Sequence, residues 1–492
     1  MKVDNKIKSK SVISKTSILI MLVQMIVISV IFSTLQAEAH SWAETDYILD
    51  YNYDIPFQII PKSYTHVNTI FYLGDDHGTM SRPSDIFIDD DDNLFAADSG
   101  NNRIIKFDAN YNVMKVFSSD NEIGFNEPQG VFVDGDGGIF VADTGNRRII
   151  KLSKDGKYVE EFGKPESELL SDNFQYIPRR VSVSTTGYLY AIRHQWIMQM
   201  DAYNKFRGYI NTTEVGFDLS YVLRKAFSTE KQKFNMRKPE PASCLSFDLA
   251  EDGTIYVTTI DPAAQLKHIS SINKNIYPKK DMFGYIVNVD GEEHTPYFID
   301  LAVNSDGVVY LLESWAGEIH VYDSEGNNLT IFGGSGDSSD QFIAPVAIDT
   351  DSKGNVYILD QASASIKIFA PTKFMQLVQE AVKLYSSGEY VKAVEYWDQV
   401  SEINTNYALA NKGFAKSFYK QKEWRKAMEY FKLCGDKVGY SNAFAKYRLQ
   451  IIRENFLFVV LGMIVFILAL IFAVKYLLKL IGRIIRKYYS RI

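Results

Sequence analysis

Pro128-Gln-Gly-Val-Phe-Val-Asp134 leads, through a turn of glycine and aspartate, to Asp143-Thr-Gly-Asn-Arg-Arg-Ile-Ile-Lys151. The same order stands 45 residues upstream, at Pro83-Ser-Asp-Ile-Phe-Ile-Asp89 and Asp98-Ser-Gly-Asn-Asn-Arg-Ile-Ile-Lys106. A repeat at fixed spacing decides an architecture before any single element does. Each copy reads as an alternating strand, a Gly/Asp/Asn turn, a β-branched strand, a second turn and a third strand such as Arg103-Ile-Ile-Lys-Phe-Asp108.

Four weaker copies follow. They are Arg180-Val-Ser-Val-Ser184 with Gly187-Tyr-Leu-Tyr-Ala191, Leu245-Ser-Phe-Asp248 with Gly253-Thr-Ile-Tyr-Val257, Leu301-Ala-Val-Asn304 with Gly307-Val-Val-Tyr-Leu311, and Val346-Ala-Ile-Asp349 with Gly354-Asn-Val-Tyr-Ile358. A fourth, outer strand is readable in several units, as at Tyr158-Val-Glu-Glu-Phe-Gly163 and Leu329-Thr-Ile-Phe-Gly333. Six such units predict a mainly β fold, a six-bladed β-propeller. The sixth unit runs out at Phe369 and lacks its own outer strand, while a spare one, Thr69-Ile-Phe-Tyr-Leu-Gly74, precedes the first. Pairing of the spare strand into the last blade would close the ring and cover its edges, so deleting residues 67–74 should unfasten it.

The stretch Val141-Ala-Asp-Thr-Gly-Asn-Arg-Arg-Ile-Ile-Lys151 resembles the NHL repeat family, and the resemblance covers residues 67–370, strongest in the first two units. It implies a structural role for Asp98 and Asp143, which would accept turn N–H groups and face Arg103 and Arg147; Asp360 keeps the acid and Glu313 substitutes for it, whereas Arg193 and Thr259 depart. Some relatives of this kind are zinc lyases with several channel histidines, and other six-bladed propellers are metal-dependent lactonases. The seven histidines here, His40, His66, His77, His194, His268, His294 and His320, share neither a blade register nor a metal-ligand spacing. A nucleophile elbow, P-loop and Cys-x-x-Cys pair are also missing from the sequence. No cofactor is expected. Calcium would suit the acidic runs Asp89–Asp92 and Asp134-Gly-Asp136, but both fall in the hairpin turn between first and second strands, where aspartate and glycine are favoured by geometry.

Candidate binding residues lie at the channel mouth: Asp85, Arg180 and Asp300, just before the inner strands. His194, Trp196 and Trp315 sit in loops of the less regular blades, where an indole could stack on a sugar or peptide. An insertion, 208–240, carries Arg224, Lys225, Lys231, Lys233, Arg237 and Lys238, as a docking loop or a solvated excursion.

After Pro371 the period becomes helical. Tyr390 and Trp424, Ala393 and Ala427, and Trp397 and Phe431 are each 34 residues apart. This resembles a pair of TPR units over 371–455, with Gly388-Glu-Tyr390 and Lys422-Glu-Trp424 at matching turns and Thr405 in place of the usual proline. A further helix is expected over 441–455. The segment is a spacer or a peptide-binding groove.

The ends set the location. Five lysines, an apolar run from Ile18 to Phe32 and Ala37-Glu-Ala39 have the order of a secretory signal peptide, residues 1–39. Phe456–Val474 is a 19-residue stretch without charge, enough for a membrane-spanning helix, and residues 475–492 are basic, which places the C-terminus in the cytoplasm. The whole chain carries −7; with +3 in the first 39 residues and +6 in the last 18, the stretch between is left with −16. Such a surface lacks the cationic face that phosphates require, which excludes nucleic acid as a partner. Cys244 and Cys434 fall in different segments, so no stapling disulfide is expected, and the low count fits an exported bacterial protein.

These readings predict a plasma-membrane protein with one pass, holding an extracytoplasmic binding or scaffold domain for a protein, peptide or glycan, with a membrane-protein complex among its candidate partners. The alternative is a metal-dependent hydrolase or lyase working through Asp85 and Asp300.

Overall fold

The computed structural model describes residues 45–49, 57–118, 124–167, 170, 174–210, 243–250, 252–262, 264–277, 283–289 and 292–489. The expected signal peptide, His40 and residues 211–240 of the expected insertion lie outside them.

Three strands precede the first repeat: β1 (Thr45–Leu49), β2 (Phe57–Pro61) and β3 (Tyr64–Ile70). Blade 1 is β4 (Asp85–Ile88), β5 (Leu94–Asp98), β6 (Arg103–Phe107) and β7 (Val113–Ser118). Blade 2 is β8 (Pro128–Val133), β9 (Ile139–Asp143), β10 (Arg148–Leu152) and β11 (Tyr158–Phe162). Blade 3 is β12 (Pro178–Val183), β13 (Leu189–Arg193), β14 (Trp196–Met200) and β15 (Phe206–Ile210). Blade 4 has three strands among the described residues, β16 (Cys244–Leu249), β17 (Ile255–Thr259) and β18 (Leu266–Ile269), followed by a hairpin of β19 (Val287–Val289) and β20 (Glu292–His294). Blade 5 is β21 (Phe298–Val303), β22 (Val309–Glu313), β23 (Glu318–Tyr322) and β24 (Asn328–Gly333). Blade 6 is β25 (Pro345–Thr350), β26 (Val356–Asp360) and β27 (Ser365–Pro371), completed by β3. The fold is a six-bladed β-propeller.

Every blade is an antiparallel meander whose second strand is buried on both faces: all five residues of β5, β9, β17, β22 and β26 are buried, and so are the first four of β13. Burial on both faces is what a blade sandwiched between two neighbours requires, and it explains the unbroken apolar runs there. The cores lie between blades. Phe95, Ala97 and Ile104 of blade 1 pack with Val131, Val141 and Ile150 of blade 2, while Ile86, Ile88 and Ala96 of blade 1 pack with Ala347, Tyr357 and Leu359 of blade 6.

The ring closes through β3, which runs antiparallel to β27 from Ile70 opposite Ile366 to Tyr64 opposite Pro371. The closing strand thus begins five residues before Thr69, and Phe71–Gly74 falls beyond it. Tyr64 fixes the start: it is fully buried, stacks on Phe332 at 4.4 Å and meets the Tyr310 hydroxyl at 3.3 Å. The two strands before β3 are also paired into the ring. β1 and β2 form a hairpin added to the outer edge of blade 5, where Asp46 accepts from the Ser63 amide at 2.6 Å and hydroxyl at 2.5 Å, and Ser63 meets Thr330 at 2.7 Å. Its sequence carries no repeat, so this strap was not foreseen.

A second compact unit, chiefly Gln376 onward, is all helical. Its helices are α1 (Lys373–Ser386), which begins in the first unit, α2 (Tyr390–Ile403), α3 (Ala408–Lys420), α4 (Trp424–Leu433), α5 (Lys437–Glu454) and α6 (Phe456–Tyr489). The residues spaced by 34 recur in role: Ala393 and Trp397 are buried on α2, Ala427 and Phe431 on α4. Gly388 and Lys422, at the turns before these helices, both adopt the left-handed conformation. Gly413 on α3 is required by contact, since a Cβ there would lie 2.2 Å from the Trp397 ring. The last helix before the apolar one begins at Lys437, four residues earlier than expected. α6 is long and apolar enough to cross a membrane over Phe456–Arg486, about 46 Å at 1.5 Å per residue. It continues through the basic segment after Val474, where lysine, arginine, leucine and isoleucine all sustain a helix.

Candidate functional site: the ring axis and its loop face

The inner strands carry two register levels on the face that holds Asp85, Arg180 and Asp300. In register, the first level is Asp85, Gly130, Arg180, Ser246, Asp300 and Ala347, and two residues further on stand Phe87, Phe132, Ser182, Asp248, Ala302 and Asp349. Residues two apart on a strand share a face, so one alternation supplies both levels.

Three of the six expected binding residues meet there. The Arg180 guanidinium lies 2.5 Å from the Asp300 carboxylate and 3.5 Å from Asp85. Ser246 donates its hydroxyl to Asp300 at 2.6 Å. Asp85 and Asp300 are 3% and 1% exposed, so this is an interior ion cluster rather than an open mouth.

The carboxylates also fasten blades. Asp85 accepts from the Val131 amide of blade 2 at 3.0 Å, Asp248 from Val303 of blade 5 at 2.9 Å, Asp300 from Ile348 of blade 6 at 2.9 Å, and Asp349 from Ile88 of blade 1 at 2.7 Å. Each reaches the next blade around the ring at the amide following its own register position. Between blades 2 and 3 the position is Gly130, where a Cβ would come 2.6 Å from the Arg179 carbonyl; close approach replaces the carboxylate.

Burial pushes Asp85 up to about 7, opposed by Arg180 and reinforced by Asp300. Burial likewise raises Asp248 to about 6 and lifts Asp349 well above the ordinary carboxylate value, with Asp248 adding to the latter. Burial works against the Arg180 charge, but Asp300 and Asp85 outweigh it and hold the guanidinium firmly protonated.

The other three expected residues stay apart from this cluster. His194 is in the second turn of blade 3 with a left-handed backbone, and its carbonyl accepts from Arg179. Trp196 packs edge-on against Tyr209 at 5.0 Å, with its indole N–H buried and without a hydrogen-bond partner. Trp315, in the matching turn of blade 5, is 42% exposed and stacks on His294 of the β19–β20 hairpin at 4.5 Å, with Tyr297 at 6.2 Å. Of the three, His194 and Trp315 offer surface to a ligand.

The repeat aspartates organise the turns. Asp98 accepts from Arg103 at 2.7 Å, the Ser81 amide at 2.7 Å and Asn101 at 2.9 Å. Asp143 repeats this with Arg148 at 2.8 Å, Asn126 at 2.8 Å and Asn146 at 2.8 Å. The partner of Asp143 is therefore Arg148 and not Arg147. Arg147 takes the left-handed position that Asn102 occupies in blade 1, which turns its side chain out of the pair. Glu313 accepts from the Tyr297 and Ala316 amides at 2.9 and 2.6 Å, and Asp360 from Ile343 and Ala344 at 2.7 and 3.2 Å.

In the acidic runs, Asp89 accepts from the Asn93 amide at 2.8 Å and Asp134 from Gly138 at 2.6 Å, closing the hairpins from within. Among the described residues no group of three or more His, Cys, Asp or Glu side chains is placed to hold a metal ion. Asp248 and Asp349 are the axial residues that sequence reasoning missed. In Leu245-Ser-Phe-Asp248 and Val346-Ala-Ile-Asp349 the acid looks like the turn residue Asp89 of blade 1, yet it stands two positions earlier in register.

No protein-family model matches the chain, and comparison with curated proteins gives no match. Among solved structures the chain is similar to a streptogramin B lyase (13% identity over 63% of this chain and 98% of that one, TM-score 0.40). It is also similar to a gluconolactonase from Xanthomonas campestris (11%, 60% and 87%, TM-score 0.36) and to a protein of unknown function from Bacteroides thetaiotaomicron (14%, 64% and 79%, TM-score 0.43). At these identities and scores the likeness carries no activity, ligand or partner over to this chain.

Proposed function

We propose that the protein is a membrane-anchored binding or scaffold protein whose NHL-like propeller lies outside the cytoplasm and engages a protein, peptide or glycan through its loop face. The observation that carries this reading is the engagement of the axial polar groups by one another. Arg180 is ion-paired with both Asp85 and Asp300, the carboxylates a metal-dependent mechanism would use, and each of them also accepts from a neighbouring blade's amide. A group tied into the ring's own joints is poorly placed to act as a general base or metal ligand. The half-exposed indole of Trp315, backed by His294, is instead a flat surface of the type used for stacking on sugars and side chains.

The basic residues after Val474 support a cytoplasmic C-terminus, and hence an external ring. The helices from Lys373 to Glu454, TPR-like in their spacing, serve as a spacer or a second contact surface, and a membrane-protein complex is a candidate partner in the same reading.

Photocrosslinking tests the reading. A photoreactive residue at position 315, compared with one at Tyr158 on the outer strand of blade 2, should capture a defined partner from native membranes. Equal labelling from the two positions would count against the loop face as the binding surface.

A further inference from the structure

Five titratable groups face the axis among the described residues: Asp85 from blade 1, Arg180 from blade 3, Asp248 from blade 4, Asp300 from blade 5 and Asp349 from blade 6. Blade 2 brings only Gly130 and Phe132. One cation thus faces four acids in an interior where like charges resist joint ionisation. Arg180 is closest to Asp300, which leaves Asp85, Asp248 and Asp349 to share what remains of its field.

Those same three acids are fasteners. Asp349 joins blade 6 to blade 1 through Ile88, Asp85 joins blade 1 to blade 2 through Val131, and Asp248 joins blade 4 to blade 5 through Val303. Both flanks of blade 1 therefore hang on carboxylates that Arg180 does not fully neutralise. The 6-to-1 joint has a further fastener on the turn side, where Ser352 donates its amide and hydroxyl to Asp92 at 2.9 and 2.8 Å.

We propose that the propeller is latched by protons, such that protonation of the axial carboxylates tightens the joints on either side of blade 1 and their ionisation loosens them. A carboxylic acid still accepts the neighbouring blade's N–H through its carbonyl oxygen, so protonation removes the repulsion without removing the fastener. The sign follows from the raised values. Asp85 and Asp248, with burial as the leading cause, hold protons in the folded ring that the unfolded chain has already released. Their contribution to stability is fully present below about pH 4 and is lost as pH rises through about 6 to 7. An exported ring would then be firmest in a mildly acidic milieu and would breathe at blade 1 above neutrality.

Amide hydrogen exchange on the full chain in detergent tests this directly. After correction for intrinsic rates, protection at Ile88 and Val131 should fall roughly tenfold or more between pH 5.5 and 7.5, the effect of about one pKa unit. Third-strand amides such as those of Ile150 and Ile319 should change far less. Asp85→Asn and Asp349→Asn, which keep an acceptor without a charge, should flatten the dependence at the joint each one holds. Equal protection of Ile88 and Val131 at the two pH values overturns the proposal, and so does a pH dependence that survives both substitutions. Should either variant fail to fold, the unsubstituted chain alone decides.

Discussion

Replacing Arg180 by methionine should be among the most damaging single changes on the ring axis. Methionine retains the aliphatic length but strips the charge from a site where Asp300 and Asp85 are nearly inaccessible to water. Breaking a buried ion pair by removing one partner costs about 3–5 kcal/mol, because the other charge is stranded. The Arg180 side chain is 22% exposed, which lets some water screen the pair and favours the lower end, about 3 kcal/mol. In a ring of this size such a loss corresponds to roughly 4–5 °C in melting temperature. The assay is thermal unfolding of the full chain in detergent, followed by the β-sheet circular dichroism signal. Asp300→Asn in the Arg180→Met background should restore at least about half of the loss, since it removes the stranded charge. The penalty of Arg180→Met should also shrink at pH 5, where Asp85 and Asp248 are protonated. A shift under about 1 °C, or a double variant that loses the sum of both single effects, would refute the assignment of Arg180 as the axial counter-ion.

Three further outcomes are expected. Arg148→Ala should cost about 1.5–3 kcal/mol through the charge-assisted bond to the fully buried Asp143, whereas Arg147→Ala should stay within about 0.5 kcal/mol; comparison of the two melting curves checks the register. Gly130→Val should lower stability by about 1–3 kcal/mol or more, since its Cβ meets the Arg179 carbonyl at 2.6 Å, and should raise protease sensitivity at the joint between blades 2 and 3. Deleting residues 64–70 should abolish the cooperative melt, because blade 6 loses its outer strand and exposes the β27 edge; a deletion that melts like the intact chain would argue against closure by β3.

The ring was legible because its units repeat chemistry as well as spacing: Pro83 and Pro128, Asp98 and Asp143, and the paired isoleucines after each arginine report one local solution reused. The axial cluster was legible only in part. Asp85, Arg180 and Asp300 stand at the first register level, whereas Asp248 and Asp349 stand at the second, in segments whose endings mimic a turn. The Arg147 assignment failed because two arginines are adjacent and the backbone handedness at the first of them, which no composition reveals, decides which side chain faces Asp143. The strap of β1 and β2 was hidden for a different reason. Its strands answer to no repeat and are held to blade 5 by Ser63 on Thr330 and Asn328 on Leu49, contacts between residues far apart in sequence. Asn328 also heads a glycosylation sequon, yet it is buried and its carbonyl oxygen accepts from the Leu49 amide, so the folded strand does not present it for modification.

An experimental density map of the ring at side-chain resolution, recorded with anomalous scattering from crystals grown with added calcium, tests most directly whether the axis supplies its own cation. The account predicts the Arg180 guanidinium seated between Asp85 and Asp300 with no anomalous peak beside it. A metal ion bound by those two carboxylates, with Arg180 turned away, would contradict the account and reinstate a metal-dependent hydrolase or lyase.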